Sequence, residues 1–155
     1  MPTYFSPTGN PEVWDEKPEG YYTPEEWSEL HPAPEPTLEE VRERKLRHLT
    51  EGFVDRVSGS ITTSQGYLMQ FDTTDSLKMQ GAIQLLEATG ATEGYLTQVN
   101  DETVYNVPLD VMKTVLVEML SAYAACHARK QELRAAIKAA QTVEDLDAIK
   151  ITWPL

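Results

Sequence analysis

The chain has 155 residues, 41% of them hydrophobic, and a net charge of −12. That length suits one domain of ordinary size plus an appendage, with enough apolar residues for a core. The charge repels phosphate backbones and anionic lipid surfaces, so neither nucleic acid nor a membrane is expected as a partner.

Residues Met1 to Pro36 differ from the rest. Eight of the ten prolines fall there, with Trp14, Trp27 and eight acids against one base, Lys17. Proline fixes the chain extended and removes backbone donors. The segment therefore reads as an extended, Pro-rich, acidic arm without a core of its own. Yet six of the thirteen aromatics sit in it: Tyr4, Phe5, Trp14, Tyr21, Tyr22 and Trp27. A purely solvated linker has no use for two tryptophans. Such rings dock, either on the body of the same chain or on another protein. The second reading makes Trp14, Tyr21, Tyr22 and Trp27 partner-binding residues. Glu12, Asp15, Glu16, Glu25, Glu26 and Glu29 would then steer a basic partner surface. His31 to Pro36 reads as a polyproline-like spacer. It separates an arm, 1–36, from a body, 37–155.

In the body, Thr37 to Glu40 has the form of a capping box. A helix is predicted over Leu38 to Arg56, its stripe formed by Leu38, Val41, Leu46, Leu49, Phe53 and Val57. Gly52 is its weak point. Ser60–Thr63 and Tyr67–Phe71 read as strands of a hairpin. Asp72, Thr73 and Thr74 are all N-cap types ahead of a helix from Asp75 to Ala88, stopped by Gly90. Tyr95–Val99 and Glu102–Val107 form a second predicted hairpin, turning at Asn100-Asp101. Thr103, Tyr105 and Val107 alternate as though they share a face. Pro108 suits the first turn of a helix running from Leu109 to Ala140, about 48 Å long if unbroken. Thr142 caps a last short helix, and Trp153 is expected to pack back on the body. The fold class is α+β, mostly helical, with a long C-terminal helix and two small β-hairpins.

The residues offer little catalytic chemistry. His31, His48 and His127 lie on three separate elements, and adjacent Cys126 and His127 point about 100° apart on a helix. No spacing resembles a zinc site. Asp72 and Asp75 could be a working carboxylate pair, but helix capping accounts for both. No phosphate loop, nucleophile elbow or zinc-protease motif occurs. The expectation is no cofactor, no metal and no enzyme. Val111, Met112, Val115, Leu116, Met119, Leu120 and Tyr123 make a wide stripe, with Leu109, Val117, Ala124 and Ala128 broadening it. It suits burial in the body, a homo-oligomer or partner interface, or both. The amino terminus lacks a basic start and an apolar run, so no signal peptide is predicted. The single Cys126 fits a reducing compartment.

Val57 to Ile151 resembles the DUF4376 family, a small domain of tailed-phage and prophage tail proteins. The features that carry this are Gly66-Tyr-Leu-Met-Gln-Phe-Asp72, then Thr73-Thr-Asp75-Ser76 and Met79-Gln-Gly81-Ala82. The second hairpin, the long alanine-rich helix, and Ala135 to Leu146 with Ile149 and Trp153-Pro154 also fit. The family often has a tryptophan in the second hairpin, and Tyr95 to Val107 has none. That speaks against a shared hairpin binding site. Separately, Tyr4-Phe-Ser-Pro-Thr-Gly9 resembles the start of phage tail-fibre assembly proteins. The resemblances imply a non-enzymatic tail protein: a fibre assembly chaperone, or a small subunit kept on the fibre or baseplate. Its partner would be a tail fibre or baseplate protein. Its place would be the bacterial host cytoplasm during assembly, or the virion tail. Phage fibres are usually trimeric, so a matching homo-oligomer is a further expectation. The alternative is a small phage or host enzyme whose site these motifs do not reveal.

Overall fold

A computed structural model describes residues 1–154. The chain divides into two compact units, Met1–Thr37 and Leu38 onward.

In the N-terminal unit, strand β1 (Thr3–Phe5) pairs antiparallel with β2 (Pro11–Val13). Phe5 N–H donates to the Tyr22 carbonyl at 2.8 Å, and Tyr22 N–H to the Phe5 carbonyl at 2.9 Å. Tyr22 thus adds a bridge to β1. Helix α1 (Pro24–Leu30) follows. Its start is a capping box: Glu26 N–H donates to Thr23 Oγ1 at 3.2 Å, and Thr23 N–H to Glu26 Oε2 at 2.8 Å.

The extended arm expected here is therefore corrected to a folded unit. Its prolines frame elements instead of holding one long extended chain. Pro7 lies in the turn between the strands, Pro11 is the first residue of strand β2, and Pro24 opens the helix, where a missing N–H costs nothing. The turn is closed by Ser6, whose hydroxyl accepts from Asn10 N–H at 3.1 Å. Gly9 supplies the left-handed backbone this requires, at φ 89°.

The second unit is built on two long helices. Helix α2 (Leu38–Val57) runs antiparallel to α4 (Leu109–Ala139). Between them in the chain come hairpin β3 (Ser60–Thr62) with β4 (Leu68–Gln70), helix α3 (Thr73–Thr89), and hairpin β5 (Glu93–Thr97) with β6 (Thr103–Pro108). A short helix, α5 (Val143–Ala148), closes the unit. The antiparallel sense shows in the contacts. Arg42 near the start of α2 donates to the Ala140 carbonyl at 2.8 Å, at the end of α4. Phe53 near the end of α2 meets Tyr123 in the middle of α4. The Arg42 contact also satisfies a carbonyl that the helix end leaves without an internal partner.

Two apolar clusters result. One gathers Phe53, Val57, Met69, Phe71, Met79, Ile83, Leu96 and Val107 around Met112, Val115, Met119 and Cys126 of α4. The other gathers Val41, Leu49 and Leu146 around Leu133 and Ile137. Trp153 packs against both. Gly52 lies against this ring, and a Cβ on it would stand 3.4 Å from the Trp153 indole nitrogen, at contact distance. The stripe foreseen on the long helix is largely spent on this packing. Val117 and Leu120 remain exposed.

The second hairpin departs from the expected alternation. Leu96 faces Val104 and Gly94 faces Val107, so Tyr95 stands opposite two residues, Tyr105 and Asn106. This is a β-bulge, and Asn106 takes its left-handed position at φ 55°, which asparagine tolerates. The extra residue flips the strand. Val107 turns into the core at 1% exposure, while Tyr105 faces out at 70%. Gly94 lies beneath, with no space for a side chain. A Cβ there would be 2.7 Å from Leu86 Cδ1 and 2.9 Å from Met112 Sδ. Gly94→Val, which strand propensity alone would favour, is expected to lower stability by about 1–3 kcal/mol through overpacking. Urea denaturation checks this, and an unchanged midpoint would show that α3 and α4 yield freely.

Candidate functional site: an aromatic corner and an apolar groove

The four aromatic residues singled out in the arm fall into two groups. Trp27 and Tyr22 pack against other rings of their own unit. The Trp27 ring stacks on Phe5 with centroids 5.5 Å apart, on His31 at 3.8 Å, and leans on Tyr22 at 5.5 Å. A Cβ on Gly9 would come within 3.0 Å of the same ring. The helix α1 delivers Trp27, β1 delivers Phe5, and the turn delivers Gly9. These half-buried rings are the main side-chain packing of the unit.

Trp14 and Tyr21 form a different group. Their rings meet nearly edge to face, 6.2 Å apart at 77°. Trp14 Nε1–H donates to Glu12 Oε2 at 3.2 Å, and Tyr21 O–H donates to the same oxygen at 3.1 Å. Glu12 and Trp14 share a face because they are two residues apart along an extended strand. Trp14 remains 44% exposed. Partial burial, then the hydrogen bond to Glu12 and its charge, raises the Tyr21 hydroxyl above its ordinary pKa. The result is an open aromatic corner with a carboxylate at its base. Sequence reading singled out both rings but gave Glu12 only a steering role. The i, i+2 spacing of Glu12 and Trp14 was the available signal.

A groove of about 540 Å³ lies in the second unit. It runs between α3 and β5, with Met79, Leu85, Tyr95 and Val99 among its apolar walls and Asp75 and Lys78 at its polar side. Tyr95 is 63% exposed and pairs with Tyr105 at 6.2 Å, an arrangement the bulge creates. The groove was missed because its walls come from distant segments with ordinary core composition.

Asp72 proves to be the N-cap of α3, accepting from Asp75 N–H at 2.7 Å. Asp75 is raised above the ordinary aspartate value of 3.8, first by partial burial and then by the Asp72 charge, with Lys78 opposing. Among the described residues, no group of three His, Cys, Asp or Glu is placed to hold a metal ion. Cys126 is buried in the core, and burial raises its thiol pKa. Among the described residues, no helix is long and apolar enough to cross a membrane.

A family model, the domain of unknown function DUF4376, matches residues 32–150, and the chain belongs to that family. The match takes in all of α2, of which only Val57 falls in the Val57–Ile151 stretch that carried the resemblance. Phe53 and Val57 of α2 are members of the main core. No curated protein and no solved structure matches the chain.

Two outcomes are expected. Trp27→Ala removes the half-buried central ring of the N-terminal unit and costs about 1–3 kcal/mol. The amide NMR signals of residues 3–31 should collapse toward random-coil positions, and retained dispersion would show that the unit does not depend on this ring. Asp75 should titrate above 3.8 by carboxyl NMR. Its folded value exceeds its unfolded one, so its contribution to stability falls as pH rises from the unfolded to the folded value. Asp75→Asn should abolish that fall.

Proposed function

We propose that this member of the DUF4376 family is a non-enzymatic bacteriophage tail protein. It acts as a tail-fibre assembly chaperone or as a small subunit kept on the fibre or baseplate. One observation carries this reading: a folded acidic N-terminal unit presents Trp14, 44% exposed, beside Glu12, ahead of the family domain. Exposed tryptophan and tyrosine next to charge are the side chains that dominate protein–protein recognition. The unit also begins with Tyr4-Phe-Ser-Pro-Thr-Gly9, the stretch that resembles the start of tail-fibre assembly proteins. Trp14 and Tyr21 make the partner contact, while Trp27 and Tyr22 hold the unit that presents them. The protein works in the bacterial host cytoplasm during assembly, or travels in the virion tail.

A second reading, a small phage or host enzyme, has one observation in its favour. Asp75 is a carboxyl with a raised pKa beside an apolar groove, the setting in which acid–base residues occur. Partial burial beside the Asp72 carboxylate, which is there to cap α3, explains the same facts without catalysis.

The test is co-expression of the tagged chain with the tail-fibre protein encoded beside it. The fibre protein should co-purify, and Trp14→Ala should reduce the captured amount about tenfold or more. Mass spectrometry of purified virions then separates a retained subunit from a chaperone. A metabolic gene neighbourhood, or no capture of the fibre protein, would end the tail reading.

A further inference from the structure

The corner formed by Trp14, Tyr21 and Glu12 has the chemistry of a cation site. We propose that it receives an arginine side chain presented by a basic segment of a partner protein. This rests on the reading of the N-terminal unit as the recognition element, and it names what that element recognises.

The geometry supplies three things a guanidinium needs. The first is ring faces. At 77° the two rings do not cover each other, and Trp14 is open to solvent. A cation over such a face is attracted by the ring quadrupole, most strongly for tryptophan. The second is an anion within reach. Both ring donors converge on Glu12 Oε2, while Oε1 accepts no hydrogen bond from the described residues. Donation into a carboxylate also fixes the two rings in place, so little freedom is lost on binding. The third is a field of the right sign. Met1 to Pro36 carries eight acids and one basic side chain, Lys17. Lys17 is held by Glu26, so it does not fill the corner. Arginine fits better than lysine because its planar head can lie on a ring and still direct an N–H at the carboxylate. A lysine ammonium is a compact, strongly hydrated charge that cannot do both at once.

The test uses the full chain and two probes, acetyl-Gly-Arg-Gly-Arg-Gly-amide and its lysine counterpart. NMR titration follows the Tyr21 amide and, where present, the Trp14 indole N–H. The arginine peptide should shift both signals saturably and bind several-fold more tightly than the lysine peptide. Trp14→Ala should weaken it about five- to tenfold, and Glu12→Gln by a similar factor. The Trp27 indole signal reports whether each variant keeps its fold. Glu35→Gln, in the spacer, removes the same charge and should leave affinity within about twofold. Equal weakening by Glu35→Gln, equal binding of the two peptides, or no saturable shift would each overturn the proposal. Binding to arginine in a chain that fails to capture the fibre protein would sink the tail reading alone. Fibre capture without an arginine preference would sink only the corner's assignment.

Discussion

The body depends on the antiparallel contact between α2 and α4. Neither hairpin of this unit could stand alone, since two strands bury too little apolar surface in water. Each is instead fixed to the long helix. Ser64 N–H in the first turn donates to Glu118 of α4 at 3.0 Å, and Val107 of the second hairpin enters the core beside Met112. At 31 residues, α4 is about 46 Å long, enough to feed one cluster with its first half and another with its second. Trp153 joins the two by lying over Gly52 and against Phe53 at 5.9 Å. A residue that looks like a defect in helix propensity is therefore where the chain's end is received.

The N-terminal unit solves a different problem. A segment below about 40 residues rarely buries enough surface to fold without a staple. This one has no cysteine and few aliphatic residues. It concentrates its burial in rings, each able to cover roughly 150–250 Å². Trp27 does this from a helix of only seven residues, held at its start by the Thr23–Glu26 capping box. Aromatic residues in the same short segment then have two fates. Those reached by both strand and helix pack on one another, and Trp14, just past β2, stays open.

That division connects stability to function. Glu12 lies on β2 opposite Tyr4, so the strand pairing that orders the unit also sets the carboxylate beneath Trp14. The Asn106 bulge plays a comparable part in the second unit. It sends Val107 inward to hold the hairpin and leaves Tyr95 and Tyr105 outward beside the groove. In both places one backbone feature supplies a core residue and an exposed aromatic pair or corner together.

Much of the body could be read from residue order. Periodic apolar positions, the Asp72 and Thr142 caps, Gly90 and the turn residues act over three or four neighbours, so the helices and hairpins were legible, as was the mostly helical α+β class. The family resemblance was legible for the same reason. The N-terminal unit was not. Its composition says proline and acid, but its fold depends on Phe5, Tyr22, Trp27 and His31 meeting around one ring, and no periodicity encodes that meeting. The bulge was hidden too, because one inserted residue reverses which side chains face the core without changing the composition of the strand. By itself the sequence determined which segments become helix and hairpin and which residues are available to bury. Tertiary structure alone decided which tryptophan packed among other rings and which stayed open beside Glu12, because that choice rests on contacts between residues far apart in the chain.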